Sequence, residues 1–95
     1  MTQSNKQWFL YVVQCADDTL YCGVTTDVVR RVKEHNFSVR GAKYTRPRRP
    51  VALLFVQEHG SRSLAQTAEF RFKKLSRFDK LKLIEEASAI SHRDT

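Results

Sequence analysis

Residues 8–15, WFLYVVQC, are an unbroken aromatic and β-branched run, and such a run folds as a buried strand. ADD at 16–18 makes a turn and TLYCGVT at 19–25 resumes the same character, so 8–25 reads as a β-hairpin. TDVVRRVKEHN then carries a helical pattern, with Thr26 or Asp27 as N-cap and Gly23 as a structural turn at the bend between strand and helix. The pattern dissolves in FSVRGAKYTRPRRP and returns as a third strand, VALLFVQE, at 51–58. Gly60 and Ser61 turn the chain, Ser63 caps a helix LAQTAEFRFKKL, and Ser76 with Asp79 starts a last helix over 77–90. The order ββαβαα is α+β: a small three-stranded antiparallel sheet flanked by helices. One domain over 8–90 is expected, with a flexible leader at 1–7 and a flexible tail at 91–95.

Charge narrows the partners. Seventeen Lys and Arg against ten Asp and Glu give a formal charge of +7, which favours polyanions because each cation placed on a phosphate releases counterions. The polar start MTQSNKQ has no apolar run behind it, and no stretch approaches the length of a membrane span. Cys15 and Cys22 fit no metal-ligand spacing and read as reduced strand residues. A cytoplasmic location is the expectation that follows.

Helical geometry places the polar side chains. At 100° per residue from Val28, the valines 28, 29 and 32 centre at about 47°, with Arg31 at about 300° and His35 at about 340°. Arg31 and His35 therefore share a stripe bordering the buried face, while Arg30 and Lys33 point outward. On the later helix, Leu64, Ala65, Ala68, Phe72 and Leu75 make the apolar stripe and Glu69 lies on its flank. Phe70 falls opposite, where the last helix is expected to cover it. Singly, each polar group has an ordinary explanation: a snorkelling arginine, a histidine at a helix C-terminus, a Glu69–Lys73 pair four residues apart, tyrosines packed on strands.

As a set they resemble the GIY-YIG nuclease family. Its two tripeptides stand here as Phe9-Leu10-Tyr11 and Tyr21-Cys22-Gly23, and GAKYTRPRRPVALLF is similar to the loop and third strand of its small single-domain bacterial members. The resemblance implies catalytic roles for Tyr11, Tyr21, Arg31, His35 and Glu69, with Glu69 the metal ligand. Val24 stands where some relatives carry a lysine.

What the resemblance implies is Mg²⁺-dependent hydrolysis of DNA phosphodiester bonds, with one Mg²⁺ or Mn²⁺ ion per site. Arg31 would offset transition-state charge. Tyr21, or secondarily Tyr11, would act on or orient the attacking water, and His35 would relay a proton or orient a partner. Both tyrosines must then face one side of the sheet, which requires an odd number of residues in the hairpin loop. Arg40, Lys43, Tyr44, Arg46, Arg48 and Arg49 form a candidate nucleic-acid grip, with Tyr44 able to stack on an unpaired base. Cleavage would be structure-directed or weakly sequence-specific, on branched or nicked DNA with RNA also open, and a targeting protein partner is compatible. The alternative is a nucleic-acid-binding module of the same fold with weak or no catalysis.

Overall fold

The computed structural model describes residues 7–93, so most of the expected leader and the last two residues of the expected tail lie outside it. The elements are β1 (Trp8–Gln14), β2 (Leu20–Thr25), α1 (Val28–Phe37), β3 (Ala52–His59), α2 (Arg62–Lys73) and α3 (Arg77–Arg93). The sheet is antiparallel with order β2-β1-β3, which puts the WFLYVVQ strand in the centre. Helices pack on both sides of the sheet and bury both faces of that strand, and this is why its apolar run is continuous rather than alternating.

One face, from Leu10, Val12, Cys22 and Phe55, packs on Phe72 of α2 and Ile84 of α3. The other, from Tyr11, Val13, Cys15 and Val51, packs with Tyr21 and with Val28 and Val32 of α1. Cys15 and Cys22 are both buried and free, one on each face, so the sheet separates them.

The hairpin loop spans five residues between the paired Gln14 and Leu20. Cys15 N–H donates to Thr19 O at 2.8 Å and Asp18 N–H to Cys15 O at 2.9 Å, with Asp18 at φ 67°. Aspartate tolerates that left-handed conformation, and Asp17 Oδ1 accepts from the Thr19 hydroxyl at 2.6 Å. The odd count registers Val13 with Tyr21 and Tyr11 with Gly23, so both tyrosines face α1.

Several local expectations are corrected. Gly23 is not a turn but the fourth residue of β2, and its φ is not positive. It is glycine because a Cβ there would lie 2.7 Å from the Tyr11 hydroxyl. Ser61 rather than Ser63 caps α2, its hydroxyl accepting from Leu64 N–H. The stripe on α2 narrows to Ala65, Ala68 and Phe72: Leu64 lies in the first turn, Leu75 lies beyond the helix end, and both stay exposed. Phe70 is 61% exposed and uncovered by α3; Lys74 Nζ sits 4.5 Å from its ring instead. On α1, Val29 is exposed and the one buried residue is His35. The helix has rotated its histidine, not its second valine, onto the sheet.

Candidate active site

His35 is buried despite its polarity because both ring nitrogens are satisfied. Nε2 lies 2.7 Å from the Tyr11 hydroxyl and Nδ1 lies 2.8 Å from Thr45 Oγ1. The Thr45 hydroxyl donates to Ala42 O at 3.0 Å, which spends its single proton. His35 Nδ1–H therefore donates to Thr45, and Nε2 accepts from the Tyr11 hydroxyl. The Ala42 N–H, 3.4 Å from Nδ1, is too distant to compete. Tyr11, His35 and Thr45 are each at most 1% exposed.

Burial sets the protonation of this chain. It pushes the Tyr11 phenol up to about 12, an increase that the Arg31 guanidinium partly offsets. It pushes His35 down to about 4, helped by the positive charge of Arg31. At neutral pH both are uncharged.

Arg31 comes from the same helix one turn earlier. Its Nη1 donates to Glu34 Oε1 at 2.9 Å and to the Arg40 carbonyl at 2.8 Å, so the guanidinium bridges α1 and the following loop. The ion pair is partly buried, and it holds the Glu34 carboxyl below the usual carboxylate range.

Tyr21 takes the outer position. Its ring meets His35 edge-on at 5.3 Å between centroids and stacks on Tyr44 at 5.9 Å, and Arg48 lies 3.9 Å over the far side of Tyr44. Tyr44 is thus engaged by Tyr21 and Arg48 while remaining 38% exposed. Tyr21 and Tyr44 line a cavity of about 230 Å³ together with Lys73.

Glu69 approaches from the other side of the sheet, on α2. Its Oε2 pairs with Lys73 Nζ at 3.2 Å, and its charge and that of Lys73 are both felt at Cys22. Among the described residues no three His, Cys, Asp or Glu side chains converge. A lone, partly exposed carboxylate suits a hard cation that keeps most of its shell as water and substrate oxygens, and does not suit a closed protein cage. Glu69 therefore fits a Mg²⁺ or Mn²⁺ ion, provided that Lys73 yields its oxygen.

The cations of the basic loop differ in their contacts. Arg49 donates to the carbonyls of Glu34, His35 and Ser38, closing the C-terminus of α1. Arg48 is tied to Asp17 at 3.0 Å and to the Tyr44 carbonyl at 2.8 Å. Arg40, Lys43 and Arg46 extend exposed side chains.

Sequence reasoning missed four residues. Thr45 orients His35; Asn36 exchanges two hydrogen bonds with Val51, fixing the start of β3 to α1; Glu34 holds Arg31. The i,i+3 spacing of Arg31 and Glu34 was a usable signal. Gly41 also belongs here, since a Cβ would lie 2.7 Å from the Glu34 carbonyl.

The chain is similar to several known proteins. The family model of the GIY-YIG catalytic domain matches residues 7–82. A UPF0213 protein of Desulfotalea psychrophila is 54% identical over 69 residues, 73% of this chain and 63% of that protein's length. A UPF0213 protein of Streptococcus sanguinis is 50% identical over 78 residues, 82% of this chain and 88% of the relative. The solution NMR structure of the UPF0213 protein BH0048 from Bacillus halodurans is 40% identical with a TM-score of 0.55, covering 83% of each chain. That of protein EF2693 from E. faecalis is also 40% identical, with a TM-score of 0.57 over 85% of this chain and 86% of its own. Among the described residues no helix is long and apolar enough to cross a membrane.

Proposed function

The chain belongs to the GIY-YIG family, a nuclease family, and from that premise we propose that it is a metal-dependent endonuclease hydrolysing phosphodiester bonds of DNA. The observation that carries this reading is the convergence on one sheet face of Tyr21, Arg31 and the sealed Tyr11–His35–Thr45 chain. Tyr11 and His35 have no exposed surface to offer a substrate, so their role is positioning: the chain fixes the tyrosine rings and the helix that carries Arg31. Tyr21, at the cavity wall, orients the attacking water toward phosphorus. Arg31 offsets the charge that grows on the non-bridging oxygens as the bond to the leaving oxygen breaks. Glu69 would hold a divalent ion, Mg²⁺ or Mn²⁺, which would supply a lowered pKa for bound water and stabilisation of negative oxygen.

The exposed Arg40, Lys43 and Arg46 contact the phosphate backbone. Contacts of that kind carry no base sequence, which supports structure-directed or weakly specific cutting. A panel of labelled duplex, single-stranded, nicked and branched DNAs with Mg²⁺ or Mn²⁺ tests the proposal. Wild type cleaves, Glu69→Ala loses metal-dependent cleavage, and Arg31→Ala is slower by about 10²–10³-fold, the usual cost of removing a charge-stabilising donor. Salt-sensitive DNA binding without cleavage by wild type would instead favour the binding-module reading.

A further inference from the structure

The cavity at the edge of β2 has a composition that the site described so far does not use. Its base is apolar, formed by buried Cys22 and Phe72 with half-buried Leu20, and its wall is Tyr21 and Tyr44. Two lysines complete the lining, Lys73 from α2 and Lys80 from α3, and no carboxylate lines it. Lys73 is held by Glu69. Lys80 makes no ion pair among the described residues, and its Nζ lies 5.7 Å from the Phe72 ring centroid. Glu69 already faces the Lys73 ammonium, so Lys80 brings to this small, half-apolar space a charge that no lining carboxylate meets. An apolar base beside that ammonium calls for an anion that also carries an uncharged, flat body.

We propose that this cavity seats the nucleotide that flanks the scissile phosphate, its phosphate held by Lys80 beside the Glu69–Lys73 pair and its sugar and base lying on the half-buried Leu20 and Tyr21. The inference deepens the nuclease reading and rests on it. Continuity with Tyr21, which lines the cavity, argues for a strand rather than a free nucleotide: the phosphate next along the chain then reaches the tyrosine. The strand runs over the edge of β2, from the exposed cations of the 40–46 loop to α2 and α3. The face of the protein that binds nucleic acid therefore includes two helices whose lysines carry no loop or motif signal.

Lys80 is the residue to change, because Lys73 is engaged with Glu69. Binding of a fluorescein-labelled single-stranded oligonucleotide, followed by anisotropy in EDTA across a salt series, reads the contact without cleavage. Lys80→Glu weakens binding by roughly tenfold, the value of one charge-assisted phosphate contact. Lys80→Gln weakens it less, and lowers the slope of log Kd against log salt by about 0.7, as expected for one contact to a single strand. Lys33→Glu, on the exposed side of α1, controls for bulk charge and shifts Kd by less than about twofold. Unchanged binding by both Lys80 variants, or an equal loss with Lys33→Glu, overturns the seat and leaves the nuclease reading standing. Failure of wild type to bind any nucleic acid overturns both.

Discussion

Two polar assemblies flank the same sheet, and they are built in opposite ways. On the α1 face Tyr11, His35 and Thr45 are closed from solvent and bonded to one another at 2.7 and 2.8 Å. At the β2 edge Glu69 and Lys73 meet at 3.2 Å with more than half of the lysine in water. Burial in the first case fixes geometry and charge together, since a misplaced partner would leave a polar group unpaired in a place where water cannot replace it. Exposure in the second leaves the carboxylate exchangeable, because water screens the pair and makes it weak. The sealed assembly positions the site; the open one can trade an ammonium for a cation.

Acid should separate the two most strongly. His35 is neutral in the fold, with its pKa pushed down to about 4 from 6.5. The unfolded chain takes up a proton below about pH 6.5 that the native protein refuses, so the stability held above that pH falls as pH drops toward 4. The full loss is roughly 3 kcal/mol at 1.36 kcal/mol per pKa unit. Urea midpoints at pH 7.5 and 4.5 measure it, and His35→Asn should flatten the dependence. A midpoint that does not move with pH in the wild type would mean that the histidine is not sealed.

A smaller effect tests the packing rather than the charge. Gly23→Ala forces a methyl into the space of the Tyr11 hydroxyl, 2.7 Å away, inside a strand paired to the central one. The expected cost is about 2 kcal/mol, in line with overpacking elsewhere, with a loss of cleavage as Tyr11 is displaced. An alanine tolerated at full stability would show that the phenol has room to move, contrary to the close fit described. Smallest of all is Lys73→Gln. An exposed i,i+4 pair on one helix is worth at most about 0.5 kcal/mol, so the urea midpoint should barely shift. Calorimetric Mn²⁺ binding should tighten as Glu69 is released. A loss of more than about 1 kcal/mol, beyond the ordinary worth of such a pair, would place this pair among the structural ones and erase the contrast.

Element order and much of the candidate site could be read from the chain because they rest on local regularities. The WFLYVVQ run, the 100° helical step and the Arg31-to-His35 spacing each need only neighbouring residues. Hydropathy misled at α1, where it gave Val29 the core and His35 the border. A histidine costs little to bury once both nitrogens are bonded, and its partners stand 24 and 10 residues away. Arg49 shows the same dependence on distant partners: five cations in one loop look alike until three carbonyls at a helix end engage one of them.

By itself, then, the sequence determined the ββαβαα order and the basic character, and through its family resemblance it offered Tyr21, Arg31 and Glu69 as candidates, since order and charge are properties of the chain alone. Tertiary structure decided which of the polar groups are sealed and which stay open. Gly23 has its reason only when Tyr11 lies opposite, Thr45 only beneath His35, and Lys80 only beside Lys73. Those juxtapositions join distant parts of the chain, and no local pattern encodes the desolvation that gives them their effect.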